Sequence, residues 1–276
     1  MPKDAAKPSV RKGEHQNTAR LVLVLETLMD ASVDGLRLSD VVEGTGLSVA
    51  VTHRLLAGMV TYGLVDHDPG TNRYFLGLKM LSLTAAASER FGIARCADAL
   101  MDSLAAETGD TIYLSLPAGD DSVCIDRREG TFPIRTLTLN LGDRRPLGVG
   151  GGSLALLAFQ EPAFIADIMA RDRERRQSFG VDDAWLAGAI ETARETGYTM
   201  NDGRLIQGMW AVGVPICRAD GRAVAAISVA AITDRLSGER LAWVVERLKA
   251  AAARIETDAS VIINSRISRR GPSKGL

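Results

Sequence analysis

GLSVAVTHRLLAGMVTYGLVDHDPGTNRYFLG, residues 46–77, is the stretch that decides how the amino-terminal part of this chain folds. Ser48 is a helix-capping residue type, and behind it Val51, Leu55 and Met59 recur at steps of four, which places one face of a helix on a core. On that reading Val49, Thr52, His53 and Arg54 turn outward. The residues that follow contain two short strand-like pieces around the turn signal Asp68-Pro69-Gly70, which predicts a β-hairpin.

Upstream, Leu21, Val22, Leu25, Leu28 and Met29 form the stripe of an amphipathic helix over residues 18–29. Gly35 breaks the pattern, Ser39 can cap a second short helix carrying Val41 and Val42, and Gly44 to Gly46 end it. Three helices, a glycine-containing turn between the second and third, and a hairpin make a winged helix-turn-helix, whose third helix enters the major groove of DNA. Ser48, Val49, Thr52 and His53 are then the base-reading candidates, Arg54 a phosphate or bracing contact, and Asn72 and Arg73 on the wing are placed to reach the flanking backbone. Arg20, Arg11 and Lys12 add positive charge. Residues 1–80 hold nine basic and nine acidic side chains, so DNA affinity has to rest on geometry and dimerisation rather than on bulk charge. A module used only for protein contacts is the bland alternative.

Downstream, residues 78–91 suit a linker helix able to pair with a second subunit, and 93–106 another amphipathic helix. Runs rich in β-branched residues at 111–116, 122–126 and 134–139 read as strands. After Pro146 the loop GVGGG leads into a helix over 153–159, with Ser153 as its cap. Helices are expected at 161–169 and 183–195, with the run DRERRQ (172–177) as a solvated face. Strands are expected at 198–200, 211–216 and 223–230, Asp220-Gly221 turning between the last two, before a closing helix over 237–265. The organisation expected is α+β: a polar disordered tail (1–14), a winged helix-turn-helix (15–77), a linker helix (78–92), a domain on one mostly antiparallel sheet (93–265) and a second loose tail (266–276).

Gly148, Gly150, Gly151 and Gly152 before a helix leave bare amides that can approach an anion such as a small carboxylate; a turn permitting close strand-helix packing explains them equally well. GVGGGS lacks the lysine of a P-loop, and GxGxxG does not occur.

The stretch quoted first, with DPGTNRYFLG inside it, resembles the DNA-binding module of the IclR-type (isocitrate lyase regulator) transcriptional regulators. RRPLGVGGGSLALLAF resembles the loop and helix that border their effector pocket, and ETGYTMNDGRLIQGMWAVGVPI with AAISVAA resembles their later pocket strands. The resemblance spans about residues 17–263, in the family's order. It implies a winged helix-turn-helix, a linker helix and a GAF-like or profilin-like sensor domain. It also implies a homodimer or dimer of dimers on a pseudo-palindromic double-stranded operator. The function implied is a repressor or activator of a catabolic operon, responding to a small organic acid or aromatic metabolite. The pocket positions implied are Leu137, Gly151, Gly152, Asn201, Met209 and Ser228, with Ser153 and Asp202 beside them; Trp210 is either a pocket wall or core. Gly203 and Arg204 stand where members commonly carry acidic residues, so effector chemistry does not transfer directly.

Among 276 residues, 46% are hydrophobic and 24% charged, and the net charge is -1: an ordinary globular composition that neither requires nor excludes nucleic acid. No apolar run approaches the roughly 20 residues of a membrane span, and the first residues lack the apolar core of a secretory signal. Cys96, Cys124 and Cys217 form no CxxC pair, pointing to a reducing cytoplasm and to no zinc site. The rival class is an enzyme using Ser153, a cysteine or paired carboxylates. Against it, His15, His53 and His67 all precede residue 68, leaving the carboxyl-terminal part no histidine for a Ser-His or Cys-His system. Asp202 is the lone acidic residue in the matched pocket strands near the pocket positions. Neither a metal nor a cofactor is expected.

Overall fold

A computed structural model describes residues 16–260 and 263, apart from 30, 32, 33, 91 and 135 and the side chains of 85 and 87–90. Both expected tails, with Arg11 and Lys12, and the last residues of the expected closing helix lie outside the described residues. The chain divides between residues 90 and 91 into two compact units.

In the first unit α1 (Gln16–Met29), α2 (Leu38–Thr45) and α3 (Val49–Thr61) precede the hairpin β1 (Val65–Asp68) and β2 (Arg73–Leu76), and α4 (Lys79–Arg90) follows. Val24, Leu28, Val41, Leu56, Met59, Val65 and Tyr74 make its core. Each fully buried aliphatic side chain there contributes roughly 1.5–3 kcal/mol.

Two stripes differ from expectation by a fraction of a turn. On α1, Val24 is buried while Val22 and Met29 stand 43% and 49% exposed. On α3, Thr52 and Leu56 fill the core while Val51 and Leu55 are only half-buried. At 3.6 residues per turn the series 52, 56, 59 lies on one face as well as 51, 55, 59 does, and only the packing partners choose.

Helix α2 starts one residue before its expected cap. Arg37 is the N-cap, and the Asp40 carboxylate turns back to accept the Arg37 N–H at 2.9 Å, so Ser39 falls inside the first turn. The chain leaves α2 through Gly46 at φ 66°, and Ser48 then caps α3, although its hydroxyl makes no cap bond. The wing turn is held by Asp68, which accepts from Gly70 N–H (2.8 Å) and Thr71 Oγ1 (2.7 Å); these bonds hold its carboxyl below the usual range. Leu36, before α2, exchanges backbone hydrogen bonds with Tyr74 and so ties the wing to the helices.

The second unit runs α5 (Ile93–Thr108), β3 (Thr111–Ala118), β4 (Asp121–Arg128), β5 (Arg144–Pro146), α6 (Gly151–Ala158), α7 (Pro162–Arg171), α8 (Arg173–Gln177), α9 (Asp183–Thr196), β6 (Thr199–Asn201), β7 (Met209–Cys217), β8 (Ala223–Ile232) and α10 (Gly238–Asp258). The strands form one six-stranded sheet in the order β5-β4-β3-β8-β7-β6, with every pair antiparallel. One face packs on α5 and α10; the other receives α6, behind which a second core involves α7 and α9.

Two expectations are overturned here. Residues 134–139 are not a strand, and the edge of β4 pairs with Arg144–Pro146 instead. Pro133 precedes this segment, and its polar groups are taken up by local and side-chain hydrogen bonds rather than by a ladder. Thr136 Oγ1 donates to the Ala230 carbonyl at 2.5 Å, the Tyr113 hydroxyl donates to the Thr136 carbonyl, and the Thr138 N–H donates to that hydroxyl at 3.2 Å. Nor is DRERRQ wholly a solvated face: Arg176 is 0% exposed. Its guanidinium donates to the Ile168 carbonyl (2.8 Å), the Met169 carbonyl (2.6 Å) and Asp183 Oδ1 (3.0 Å), tying α7, α8 and α9 together. Asp172 is buried as well, and a charge run carries no periodic signal to distinguish the residues that turn inward. Among the described residues no helix is long and apolar enough to cross a membrane.

Candidate DNA-contacting helix and effector cavity

Because Thr52, Leu56 and Met59 bury one side of α3, the opposite side presents Val49, Ala50, His53, Arg54 and Ala57 to solvent, Val49 at 59% exposure. Ser48, His53 and Arg54 are thus exposed as expected. Thr52 is the correction: its side chain is 0% exposed and its hydroxyl donates to the Ser48 carbonyl at 3.1 Å, so it points away from any groove. Small residues at 50 and 57 flank Arg54, which leaves its guanidinium the longest reach on this face.

On the wing, Asn72 is exposed at φ 55°, and its Oδ1 lies 3.0 Å from His67 Nε2, while the His67 ring stacks on Tyr74 with centroids 4.5 Å apart. Arg73 is turned inward, its Nη1 donating to the carbonyls of Gly35 (2.7 Å) and Asp34 (3.3 Å). It braces the wing, and only its remaining N–H groups stay available to a phosphate.

The second site follows from strand alternation. Along β3, Ile112, Leu114 and Leu116 enter the core under α5 and α10, so Tyr113 and Ser115 face the other way. The register pairs Tyr113 with Ser228 and Ala211 with Ala230, bringing Ser228, Ala230 and Ala211 to the same face. Onto it packs the first turn of α6. Gly150, at φ 92° and ψ 162°, is the N-cap in a backbone conformation that favours glycine, so Ser153 lies inside the helix and not at its cap. The Ser153 hydroxyl donates to the Pro146 carbonyl at 2.9 Å, which also removes it as a free nucleophile.

Between this sheet face, the start of α6, β5 and the stretch before β7 lies a cavity with 40 Å³ of space for water centres, against about 10–15 Å³ for one water. Of the expected pocket residues, Gly151, Gly152, Ser153, Asn201, Met209 and Ser228 line it, and Trp210 forms part of its wall. Leu137 and Asp202 do not. Leu137 is 50% exposed on the segment that fails to form a strand, and Asp202 points to solvent beside Arg204, 3.6 Å away.

The residue missed from the sequence is Arg145, which also lines the cavity. Its Nη2 donates to the Thr138 carbonyl at 2.6 Å, and its Nη1 lies 3.4 Å from where a Cβ on Gly150 would be. Burial pushes this guanidinium below its usual range, and among the described residues it forms no ion pair. A desolvated cation beside the amide-rich end of a helix is an arrangement that attracts an anion. The signal was present in RRPLGVGGGS, where β5 must send one of two adjacent arginines inward. Tyr113 and Ser115 were legible in the same way, as the polar alternates of TIYLSLPA.

The comparisons with known proteins match both units. The description "Bacterial transcriptional regulator IclR C-terminal" fits residues 85–257, and "IclR helix-turn-helix domain" fits residues 18–69. The HTH-type transcriptional regulator KipR of Bacillus subtilis is 27% identical over 222 residues, 80% of this chain and 88% of KipR. In fold, the chain is similar to the crystal structure of Thermotoga maritima IclR (TM-score 0.73, 21% identity, 89% of this chain and 99% of that one). It is also similar to an IclR homologue from Microbacterium hydrocarbonoxydans complexed with 4-hydroxybenzoate (TM-score 0.72, 24% identity, 87% and 98%). With the amino-terminal match on the three helices and wing and the carboxyl-terminal match on the domain that holds the cavity, the chain belongs to the IclR family of bacterial transcriptional regulators.

Proposed function

We propose that this protein is a cytoplasmic, ligand-responsive regulator of a catabolic operon whose effector is a small carboxylate held in the cavity of the second unit. The observation that carries the effector class is Arg145: half-buried, lining the cavity, and without an ion pair among the described residues. A carboxylate would lie between its Nη1 and the amides at the start of α6, with Met209 and Trp210 against its apolar part. The 4-hydroxybenzoate bound by the Microbacterium homologue is a ligand of this chemical kind.

Residues 15–77 act as the DNA-binding domain, 78–92 as linker and 93–265 as effector-binding domain, assembled as a homodimer or dimer of dimers. Ser48, Val49, His53 and Arg54 read the groove, and Asn72 approaches the flanking backbone. Half-sites are read about 34–36 Å apart, so an effector that favours one arrangement of the dimer changes DNA affinity. No catalysis and no cofactor are assigned. The absence of any histidine after residue 67 supports this, as does the engagement of the Ser153 hydroxyl by the Pro146 carbonyl.

The test is calorimetry and thermal shift of the full chain with small carboxylates and their uncharged amides, together with binding to the DNA upstream of its own gene. Carboxylates should bind and change operator affinity, and Arg145→Gln should weaken them about tenfold to a hundredfold, as loss of a charge-assisted bond predicts. Equal affinity for acid and amide, or an Arg145→Gln protein that binds carboxylates as wild type does, overturns the carboxylate reading.

A further inference from the structure

The cavity holds more unpartnered hydrogen-bonding groups than a simple acid could satisfy. Ser115, Ser122 and Ser228 all line it, all are buried, and among the described residues none of their hydroxyls has a protein hydrogen-bond partner. Asn201 lines it as well, 2% exposed, and among the described residues its Nδ2 has no partner. The Nη1 of Arg145 is a further donor at the wall.

Register explains why these groups converge. Ser115 and Ser228 project from β3 and β8 on the face that carries Tyr113, and Ser228 approaches the start of α6 so closely that a Cβ on Gly152 would lie 3.0 Å from its hydroxyl and 3.7 Å from that of Ser115. Ser122 pairs with Arg145 across β4 and β5, which puts the third hydroxyl next to the cation. Asn201 pairs with Ala211 at the β6–β7 edge and closes the far side. Leu205, Ile206, Met209 and Trp210 give the cavity an apolar side.

Buried polar groups left unpaired are disfavoured, and a serine hydroxyl offers one donor and two acceptor positions. An aliphatic acid or plain benzoate would satisfy Arg145 and leave the serines and the amide facing hydrocarbon. We infer that the effector is a carboxylate bearing at least two hydroxyl groups, its carboxylate on Arg145 and its hydroxyls on Ser115, Ser228 and Asn201, with its less polar face on Met209 and Trp210. This rests on the cavity being the effector site and names the class of effector within it. An open-chain polyhydroxy acid and a ring acid with adjacent hydroxyls share this chemistry.

The test is isothermal titration of the full-length protein with matched pairs: threonate against butyrate and gluconate against hexanoate for the open chain, 3,4-dihydroxybenzoate against benzoate for the ring. At least one hydroxylated member should bind at least about tenfold more tightly than its partner, because each correctly met hydroxyl replaces an unpaired group. Ser115→Ala and Ser228→Ala should each narrow the affinity ratio within that pair by about threefold or more, and circular dichroism and the ligand-free melting transition verify that each variant folds. Deoxy acids that bind as tightly as their hydroxylated partners overturn the inference, as does failure of every member to bind. Arg145→Gln separates the two readings: it removes affinity for all the acids if the carboxylate anchor is right, whereas the preference for hydroxyls is read on the serine variants.

Discussion

A Cβ on Gly213 would sit 2.4 Å from the carbonyl oxygen of Gly151, so β7 and the first turn of α6 meet backbone to backbone. Thr199 completes the contact, its hydroxyl donating to the Gly151 carbonyl at 2.7 Å. The start of α6 can line the cavity only because position 213 carries no side chain. Gly213→Ala should therefore destabilise the protein by about 1–3 kcal/mol, as overpacking does, and weaken effector binding by moving Gly151 and Gly152. Denaturant melts together with ligand titration measure both, and an alanine variant as stable as wild type would show that the contact is looser than described.

Burial of Thr52 separates stability from recognition on α3. Thr52→Ala removes one buried methyl and the bond to the Ser48 carbonyl, which should lower stability by about 1–2 kcal/mol and leave operator preference within about twofold. Arg54→Ala should do the reverse, keeping stability and reducing discrimination between operator and random DNA by about tenfold or more. Gel-shift titrations on both DNAs, beside urea melts, distinguish these effects. If Thr52→Ala alone abolished sequence preference, the orientation of α3 would be wrong.

Two thiols, the buried Cys124 and the half-buried Cys217, set an alkaline limit. Burial raises the Cys124 thiol to about 11 and the Cys217 thiol to about 12, from an ordinary value of about 9. Between those values the unfolded chain releases protons that the folded chain keeps, so stability falls as pH rises above about 9. The contribution is fully present below that pH and is lost through the folded values. Melts from pH 8 to 10.5 should show a steeper loss for wild type than for a Cys124→Ala, Cys217→Ala double variant; parallel curves would mean that these thiols do not couple to folding.

Most of the architecture was legible because it repeats. Periods near 3.6 located α1, α3 and α5, runs rich in β-branched residues located β3 and β4, and glycine or aspartate marked the turns at Gly46 and Asp220. What escaped was set by partners distant in sequence. Residues 134–139 look like a strand, yet their polar groups are claimed by Tyr113 and Ala230. Arg176 looks like surface, yet three oxygens from α7 and α9 draw it inside.

For the site, the resemblance to the family implied that the glycine loop, Asn201 and Ser228 belong together, since the family's segments occur in order along the chain. The sequence also indicated by itself that no histidine is available to the second unit, because composition needs no coordinates. Only the tertiary structure decided that Thr52 faces the core, that Leu137 and Asp202 stay out of the cavity, and that Arg145 enters it. Periodicity fixes a side chain's direction to within a fraction of a helical turn or one face of a strand, whereas the contents of a cavity depend on which elements meet across it.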